Sequence, residues 1–381
     1  MYYITLRVEP KAKQFTFEEM MFGVSEESLI PLKNTFDTRT RECKSIPYAL
    51  KINYELIGTL NCLESFVNKY KDMIELEDKS SLYHSFKIPK RSGGLRQIDA
   101  PNEELMTALQ ELKRIFETKL YASYHTNAYA YIKHRSTIDA VKRHQNNSSR
   151  WFLKLDFHDF FGSTTFEFLK QQLKQLYPFN MVYEINRGEV LLDKALSLCF
   201  LHGGLPQGTP ISPTLTNLMM IPIDYTISKA MRKSTPHIVY TRYADDLLLS
   251  SDISFKWTDK QNEIIEILKS FNAPFQLNTK KTRYGSSAGR NWNLGVMLNK
   301  DNEITVGHAK KKLLKTMIHQ FMQDFKEQKY WNVEDTQTLQ GQMSYVSMVE
   351  KDNMDRIIEN YSNKFGFSLI DSIKKILKNE I

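Results

Sequence analysis

The chain has 381 residues, with 52 Lys and Arg against 44 Asp and Glu and a formal net charge of +8. That length allows two or three domains around a sizeable core, and the basic excess suits a phosphate-rich partner. Cys43, Cys62 and Cys199 are too few and too scattered for a disulfide framework or a zinc site, no stretch is apolar for long enough to span a bilayer, and Met1-Tyr2-Tyr3-Ile4-Thr5-Leu6-Arg7-Val8 lacks the apolar core of a secretory signal. Cytoplasmic residence with no membrane partner is expected.

Met1 to Val8 has strand character and Tyr48 to Glu75 reads as helical, and neither carries an interpretable motif. Phe86-Lys87-Ile88-Pro89-Lys90-Arg91-Ser92-Gly93-Gly94-Leu95-Arg96 then reads as a strand, a glycine turn and a returning strand. Such a basic hairpin can clamp a triphosphate through Lys90 and Arg96, or simply stand in solvent.

Trp151-Phe152-Leu153-Lys154-Leu155-Asp156 reads as a buried strand in which Lys154 is the one basic residue, ending at a carboxylate. Thr164-Thr165-Phe166-Glu167 has capping-box spacing for a helix running to just before Pro178. Leu205-Pro206-Gln207-Gly208-Thr209-Pro210-Ile211-Ser212-Pro213 is a rigid loop feeding a helix that Pro222 should end or kink.

Tyr243-Ala244-Asp245-Asp246 sits between two apolar runs, at the turn of a hairpin. Paired aspartates in a turn are also ordinary turn chemistry, so the motif alone is ambiguous. Asp156 as a third acid makes a metal constellation the better reading, because like charges about 4 Å apart repel by roughly 4 kcal/mol at an effective dielectric near 20 and need cations. Oxygen donors without His or Cys favour Mg²⁺ or Mn²⁺. Farther on, the lysine-rich run from His308 to Lys315 opens a helix in which Leu314, Met317, Ile318, Phe321 and Phe325 recur with helical period. In a second helical segment, Gly341 is a candidate for close packing.

Taken together these blocks resemble the reverse transcriptases, and in particular the bacterial group of retron and defence-associated enzymes. The resemblance runs through Phe86 to Pro101, Arg135-Ser136-Thr137-Ile138, Asp156 to Phe161, Leu205 to Pro213, Tyr243 to Asp246, Asn278-Thr279-Lys280-Lys281-Thr282 and Leu294-Gly295-Val296. It implies an α+β right-hand polymerase with fingers, a palm of antiparallel sheet packed on helices, and a helical thumb. The expected divisions are an N-terminal extension over 1–82, fingers and palm over 83–300, and thumb over 301–381.

The resemblance also implies roles. Asp156, Asp245 and Asp246, with Phe157 beside them, are expected to hold two Mg²⁺ ions, for which Mn²⁺ can substitute, and Lys281 is a candidate proton donor to pyrophosphate. Lys90, Arg96, Phe157, Phe161, Gln207 and Gly208 are expected at the incoming nucleotide, with Phe161 excluding a 2′-hydroxyl, though one of Phe160 and Phe161 is expected to be core. Tyr243, Arg135, Lys311 and Lys315 are expected at primer and template. The implied partners are an RNA template, the DNA product, dNTPs and a cognate noncoding RNA, with a second protein or a second copy of the chain as further candidates.

Asn293-Leu294-Gly295 stands where retron enzymes typically show Val-Thr-Gly, and their Asn-Ala-x-x-His insert is not visible between Thr164 and Gly204. A non-retron antiviral type is therefore preferred over retron msDNA synthesis. Too little chain follows the expected thumb for an RNase H, endonuclease or maturase domain. Template-independent or protein-primed synthesis and a catalytically silent RNA-binding scaffold are the remaining alternatives.

Overall fold

The computed structural model describes residues 45–89, 93–287 and 296–380. In chain order the elements are α1 (Ser45–Lys69), α2 (Lys71–Glu75), β1 (Tyr83–Pro89), β2 (Leu95–Pro101), α3 (Glu103–Thr118), α4 (Thr137–Asn146) and β3 (Trp151–His158). Next come α5 (Phe166–Leu173), α6 (Phe179–Tyr183), α7 (Asn186–Ser197), α8 (Ser212–Met219), α9 (Ile221–Lys233), β4 (Val239–Tyr243) and β5 (Asp246–Ser251). The rest are α10 (Trp257–Ser270), β6 (Gln276–Leu277), β7 (Arg283–Ser286), β8 (Met297–Leu298), β9 (Ile304–Thr305), α11 (His308–Lys326), α12 (Val333–Val349), α13 (Lys351–Phe365) and α14 (Leu369–Leu377). The mixed helix and sheet architecture agrees with the expected α+β class.

Contacts divide the chain into two compact units. Of the described residues, one takes those up to His125 together with His158–Tyr225 and Glu266–Gln276, and the other takes Thr126–Phe157, Thr226–Ile265 and those from Leu277 onward.

In the first unit β1 and β2 form an antiparallel two-stranded ribbon, with Pro89 opposite Leu95. Its outer part is exposed on both strands, including Phe86, Ile88 and Leu95. Asn102 then caps α3, its side chain accepting from the Leu105 amide at 2.8 Å, which satisfies a donor that the first helical turn leaves free. The apolar face of α3 buries Leu105, Leu109, Leu112 and Phe116, and the Phe116 ring meets Phe179 edge-on at 5.3 Å. Helix α5 ends at Leu173, short of the expected stop just before Pro178, and its start also differs from the sequence reading. Thr165 rather than Thr164 caps α5, its hydroxyl accepting from the Phe168 amide, while the Thr164 hydroxyl donates to the Phe160 carbonyl at 2.9 Å. Helix α8 ends before Pro222 as expected, but Pro222 then falls in the first turn of α9, where its missing N–H costs nothing.

The second unit is built on a sheet in the order β4-β5-β3-β6, with β7 also pairing β3. Phe152, Leu153, Leu155 and Phe157 are all buried, as the apolar run of β3 requires when both faces of a strand are covered. Ser136 and Asp139 form a reciprocal capping box that starts α4. From α4, His144 reaches both strands of the β4-β5 hairpin, with Nδ1 2.6 Å from Ser250 Oγ and Nε2 2.8 Å from Thr241 Oγ1. Since the Ser250 hydroxyl donates to Ser149 Oγ at 2.7 Å, Nδ1 carries the ring proton and Nε2 accepts from Thr241. Burial pushes the imidazole pKa down to about 3, so the ring stays neutral.

Helices α11 to α14 share one core in which Leu314, Ile318, Phe321 and Met322 pack with Leu339, Met343, Val346, Ile357, Leu369 and Ile373. The helical period read from Leu314, Met317, Ile318, Phe321 and Phe325 is the buried face of α11, Met317 and Phe325 lying at its margin. The close-packing role considered for Gly341 is corrected: a Cβ there would meet nothing within 4 Å, because Gly341 is on the open face of α12.

Replacing His144 by Leu leaves the Ser250 and Thr241 hydroxyls short of a buried partner and should cost about 2–4 kcal/mol at pH 7.5. The folded His144 pKa is depressed, so its contribution is full above the unfolded value near 6.5 and is lost as pH falls. Denaturant unfolding should therefore show the gap between wild type and His144→Leu closing by about 2 kcal/mol between pH 7.5 and pH 5. A gap independent of pH would mean that the ring protonates in the folded protein.

Candidate active site

Antiparallel pairing of β3 with β5 sets Asp156 directly opposite Asp246. Strands β4 and β5 pair with Tyr243 opposite Asp246, which leaves Ala244 and Asp245 as the two turn residues. Ala244 has φ 55°, in the left-handed region, where a residue with a Cβ is strained. Arg242, almost fully buried, donates from Nη1 to the Ala244 carbonyl at 3.1 Å and so pins this turn. The Phe157 amide donates to the Asp245 carbonyl at 3.1 Å, tying the turn back to β3 beside Asp156. Three acids from two separate stretches of sequence thus adjoin within one unit.

Their charges are strained. Burial pushes the Asp245 carboxyl above its usual range, and Asp156 adds to the rise. Burial likewise raises Asp246 well above the ordinary carboxylate value; Lys154 opposes this, while Asp245 and Asp156 reinforce it. Two ammonium groups partly offset the crowding. Lys281 Nζ lies 2.7 Å and 3.1 Å from the two oxygens of Asp156, and Lys154 Nζ lies 2.9 Å from Asp246 Oδ2.

Among the described residues no three His, Cys, Asp or Glu side chains converge closely enough to hold a metal ion. Asp156 and Asp246 instead each face a lysine. The donor set still fits a hard divalent cation, being oxygen-only and largely buried, with burial opposing ionisation of Asp245 and Asp246. Asp156, Asp245 and Asp246, with the backbone at Phe157, are the residues that would hold it.

The other candidates fall in both units. In the first, Arg96 lies on exposed β2 and is paired in register with Ile88, whereas Lys90 lies outside the described residues. The Gln207 carbonyl accepts from the Asp99 amide at 2.9 Å, and Gly208, at φ 122°, passes so close to β2 that a Cβ would sit 3.1 Å from the Asp99 carbonyl oxygen. The loop at Gln207 and Gly208 is therefore fastened to the base of the ribbon. Phe160 is core, its ring 5.0 Å from Phe275, while half-buried Phe161 meets Phe160 edge-on at 5.8 Å.

In the second unit Arg135 donates from Nη1 to the Ala128 carbonyl at 2.6 Å, and Tyr243 is half-buried at the hairpin end. Lys311 is held by Glu350 at 2.9 Å. Lys315 is exposed and lines a cavity of about 700 Å³ with His308, Lys312, His319, Asn353 and Tyr361. Asn293-Leu294-Gly295 lies outside the described residues. Sequence reasoning passed over Lys154 and Arg242; the available signals were a single lysine in an apolar strand two residues before Asp156, and an arginine inside an otherwise apolar hairpin.

The family described as reverse transcriptase (RNA-dependent DNA polymerase) matches residues 88–334. Retron Ec83 reverse transcriptase of Escherichia coli is 28% identical over 302 residues, covering 77% of this chain and 90% of that protein. Retron Ec86 reverse transcriptase of Escherichia coli is 24% identical, covering 74% and 81%, and Retron Mx65 reverse transcriptase of Myxococcus xanthus is 28% identical, covering 72% and 63%. Among solved structures, apo telomerase from Candida tropicalis aligns with TM-score 0.43 and 13% identity over 83% of this chain and 70% of that one, too loosely to carry an argument.

The raised Asp246 pKa has a consequence for stability without metal. The folded state binds more protons than the unfolded state between the unfolded Asp value near 3.9 and the raised folded value, so this contribution falls as pH rises through that window. Asp246→Asn, which mimics the protonated form, should unfold at higher denaturant than wild type at pH 7.5 in chelator, by on the order of 1–2 kcal/mol, and the difference should vanish near pH 4. An asparagine variant less stable than wild type at pH 7.5 would show that the Lys154 pairing outweighs the burial.

Proposed function

This chain belongs to the reverse transcriptase family and is an RNA-directed DNA polymerase, and from that premise we propose that Asp156, Asp245 and Asp246 form its two-metal nucleotidyl-transfer site. The observation that carries the reading is the β3-β5 register, which sets Asp156 opposite Asp246 beside the turn that bears Asp245. Family membership brings divalent metal, and hard oxygen donors make Mg²⁺ the natural ion with Mn²⁺ as substitute.

When bound, the two cations would supply a lowered pKa at the primer 3′-hydroxyl and neutralisation of the pentavalent phosphate and the leaving pyrophosphate. The chain's own residues do the rest. Lys281, on Asp156 and half-exposed, is placed to leave that carboxylate and give its proton to the departing pyrophosphate. Arg96 forks onto the triphosphate, with Lys90 as a mobile point charge. Phe161 blocks the 2′-position, so dNTPs are preferred, and Gln207 and Gly208 underlie the nascent pair. Tyr243 and Arg135 act toward primer and template, and the lysine face of α11, with Lys315 foremost and Lys311 braced by Glu350, grips the duplex backbone.

The division into an N-terminal extension, fingers with palm, and thumb is proposed on the same footing, as are cytoplasmic residence and a cognate noncoding RNA as partner. The proposed role is antiviral defence, supported by the departures from retron sequences at Asn293-Leu294-Gly295 and in the Thr164–Gly204 interval. Similarity to Retron Ec83 reverse transcriptase over 90% of that protein favours a second reading, msDNA synthesis from the chain's own RNA.

Protein purified with its nucleic acid, given labelled dNTPs and Mg²⁺, should yield DNA whose sequence is complementary to the bound RNA. Homopolymer, or DNA that remains linked to protein through phenol extraction, would contradict templated synthesis. Asp156→Asn, Asp245→Asn or Asp246→Asn should each reduce incorporation by about 10³-fold or more, as loss of metal-assisted transition-state stabilisation implies. Phe161→Ala should raise rNTP use relative to dNTP use, and an unaltered preference would refute the sugar gate.

A further inference from the structure

We infer that Lys154 is a resident cation on Asp246 which an incoming divalent ion must displace, so that this lysine sets the metal affinity of the site. The inference rests on the two-metal reading above.

Register dictates the contact. Lys154 and Asp156 lie two residues apart on β3 and share a face of the sheet. Asp156 is opposite Asp246 and Lys154 is opposite Leu248, which makes Lys154 and Asp246 a diagonal cross-strand pair, a separation that a long side chain spans. The ammonium closes it, 2.9 Å from Asp246 Oδ2. On the other side of β3, Lys154 is directly opposite Arg283, whose like charge favours the ammonium turning toward the acids.

The two lysines of the site are not equivalent. Lys281 comes from a short 3₁₀ turn, Thr279–Lys281, and its side chain is 55% exposed, so it can swing into solvent. Lys154 is anchored in the middle of a central strand and its side chain is only 25% exposed, so it remains near the acids whatever else binds. An ammonium has three donors and no lone pair, so Lys154 cannot join a metal's coordination shell and can only compete for the same carboxylate oxygen. With three aspartates and two lysines, the metal-free site carries one net negative charge, enough compensation for the acids to be buried together. A divalent ion that binds Asp246 must take it from Lys154 and then tolerate its charge at short range. The triphosphate, bringing negative charge of its own, relieves that repulsion, so metal binding is coupled to nucleotide binding.

The test is Mn²⁺ affinity of the full chain without nucleotide or nucleic acid, read by the paramagnetic resonance of free Mn²⁺. Lys154→Met, which keeps the stem and removes the charge, should bind Mn²⁺ about tenfold tighter, as removal of a unit charge a few ångströms away implies. Lys154→Arg should stay within about twofold of wild type, and in an Asp246→Asn background the gain from Lys154→Met should shrink, since the contested anion is gone and only the through-space repulsion is left to relieve. Chemical unfolding provides a second reading of the same effect, with Mn²⁺ raising the midpoint of Lys154→Met more than that of wild type. Equal or weaker Mn²⁺ binding by Lys154→Met overturns the inference. If Asp156→Asn abolishes Mn²⁺ binding while Lys154→Met leaves it unchanged, only the role of Lys154 falls; if Asp156→Asn leaves it unchanged, the two-metal reading falls with it.

Discussion

One alignment of backbone carries the site: β3 and β5 pair so that Asp156 faces Asp246. Side chains on paired strands alternate faces, so a slip of one residue would send one of these acids to the opposite side of the sheet and separate the pair. The alignment is secured by the buried pairs Leu153 opposite Leu249 and Leu155 opposite Leu247, with Phe152 packed against Leu248 on the other face, and His144 bridges the two hairpin strands below. Arg242 holds the strained turn at Ala244, which brings Asp245 round to join the others. The apolar core and the buried polar network therefore serve the same end, a fixed position for three groups that repel one another.

That repulsion explains the electrostatic design. Buried carboxylates resist ionisation, and crowding makes the resistance worse. Lysines on both flanks lower the charge by pairing with carboxylate oxygens that a metal would otherwise take. The arrangement is a compromise between folding, which favours neutral or paired acids, and cation binding, which needs them ionised and free.

The acids were readable in the sequence because motif and context coincide there: a strand ending at Asp156, and an apolar hairpin with Asp245-Asp246 at its turn. The helices of the C-terminal region were readable because Leu314, Ile318 and Phe321 repeat with helical period. Contacts that depend on which strand lies beside which were not. Nothing local marks Lys154 as the partner of Asp246, ninety-two positions away, and His144 sits in an amphipathic helix whose sequence does not reveal a hairpin above it. The cap of α5 moved from Thr164 to Thr165 because either hydroxyl suits a helix start, and tertiary packing chose between them. Gly341 was misread for a related reason, as a glycine in a helix does not announce which face it occupies.

The central claim is that these aspartates hold a pair of cations at the site of phosphoryl transfer. Diffraction at the manganese absorption edge, from crystals grown with Mn²⁺, an RNA template, a DNA primer and a non-reactive dNTP analogue, tests it most directly. Two anomalous peaks about 3.5–4 Å apart, within bonding distance of Asp156 and of Asp245 or Asp246, are the predicted result. Peaks remote from Asp156, with the lysine contacts to Asp156 and Asp246 still intact, would contradict it.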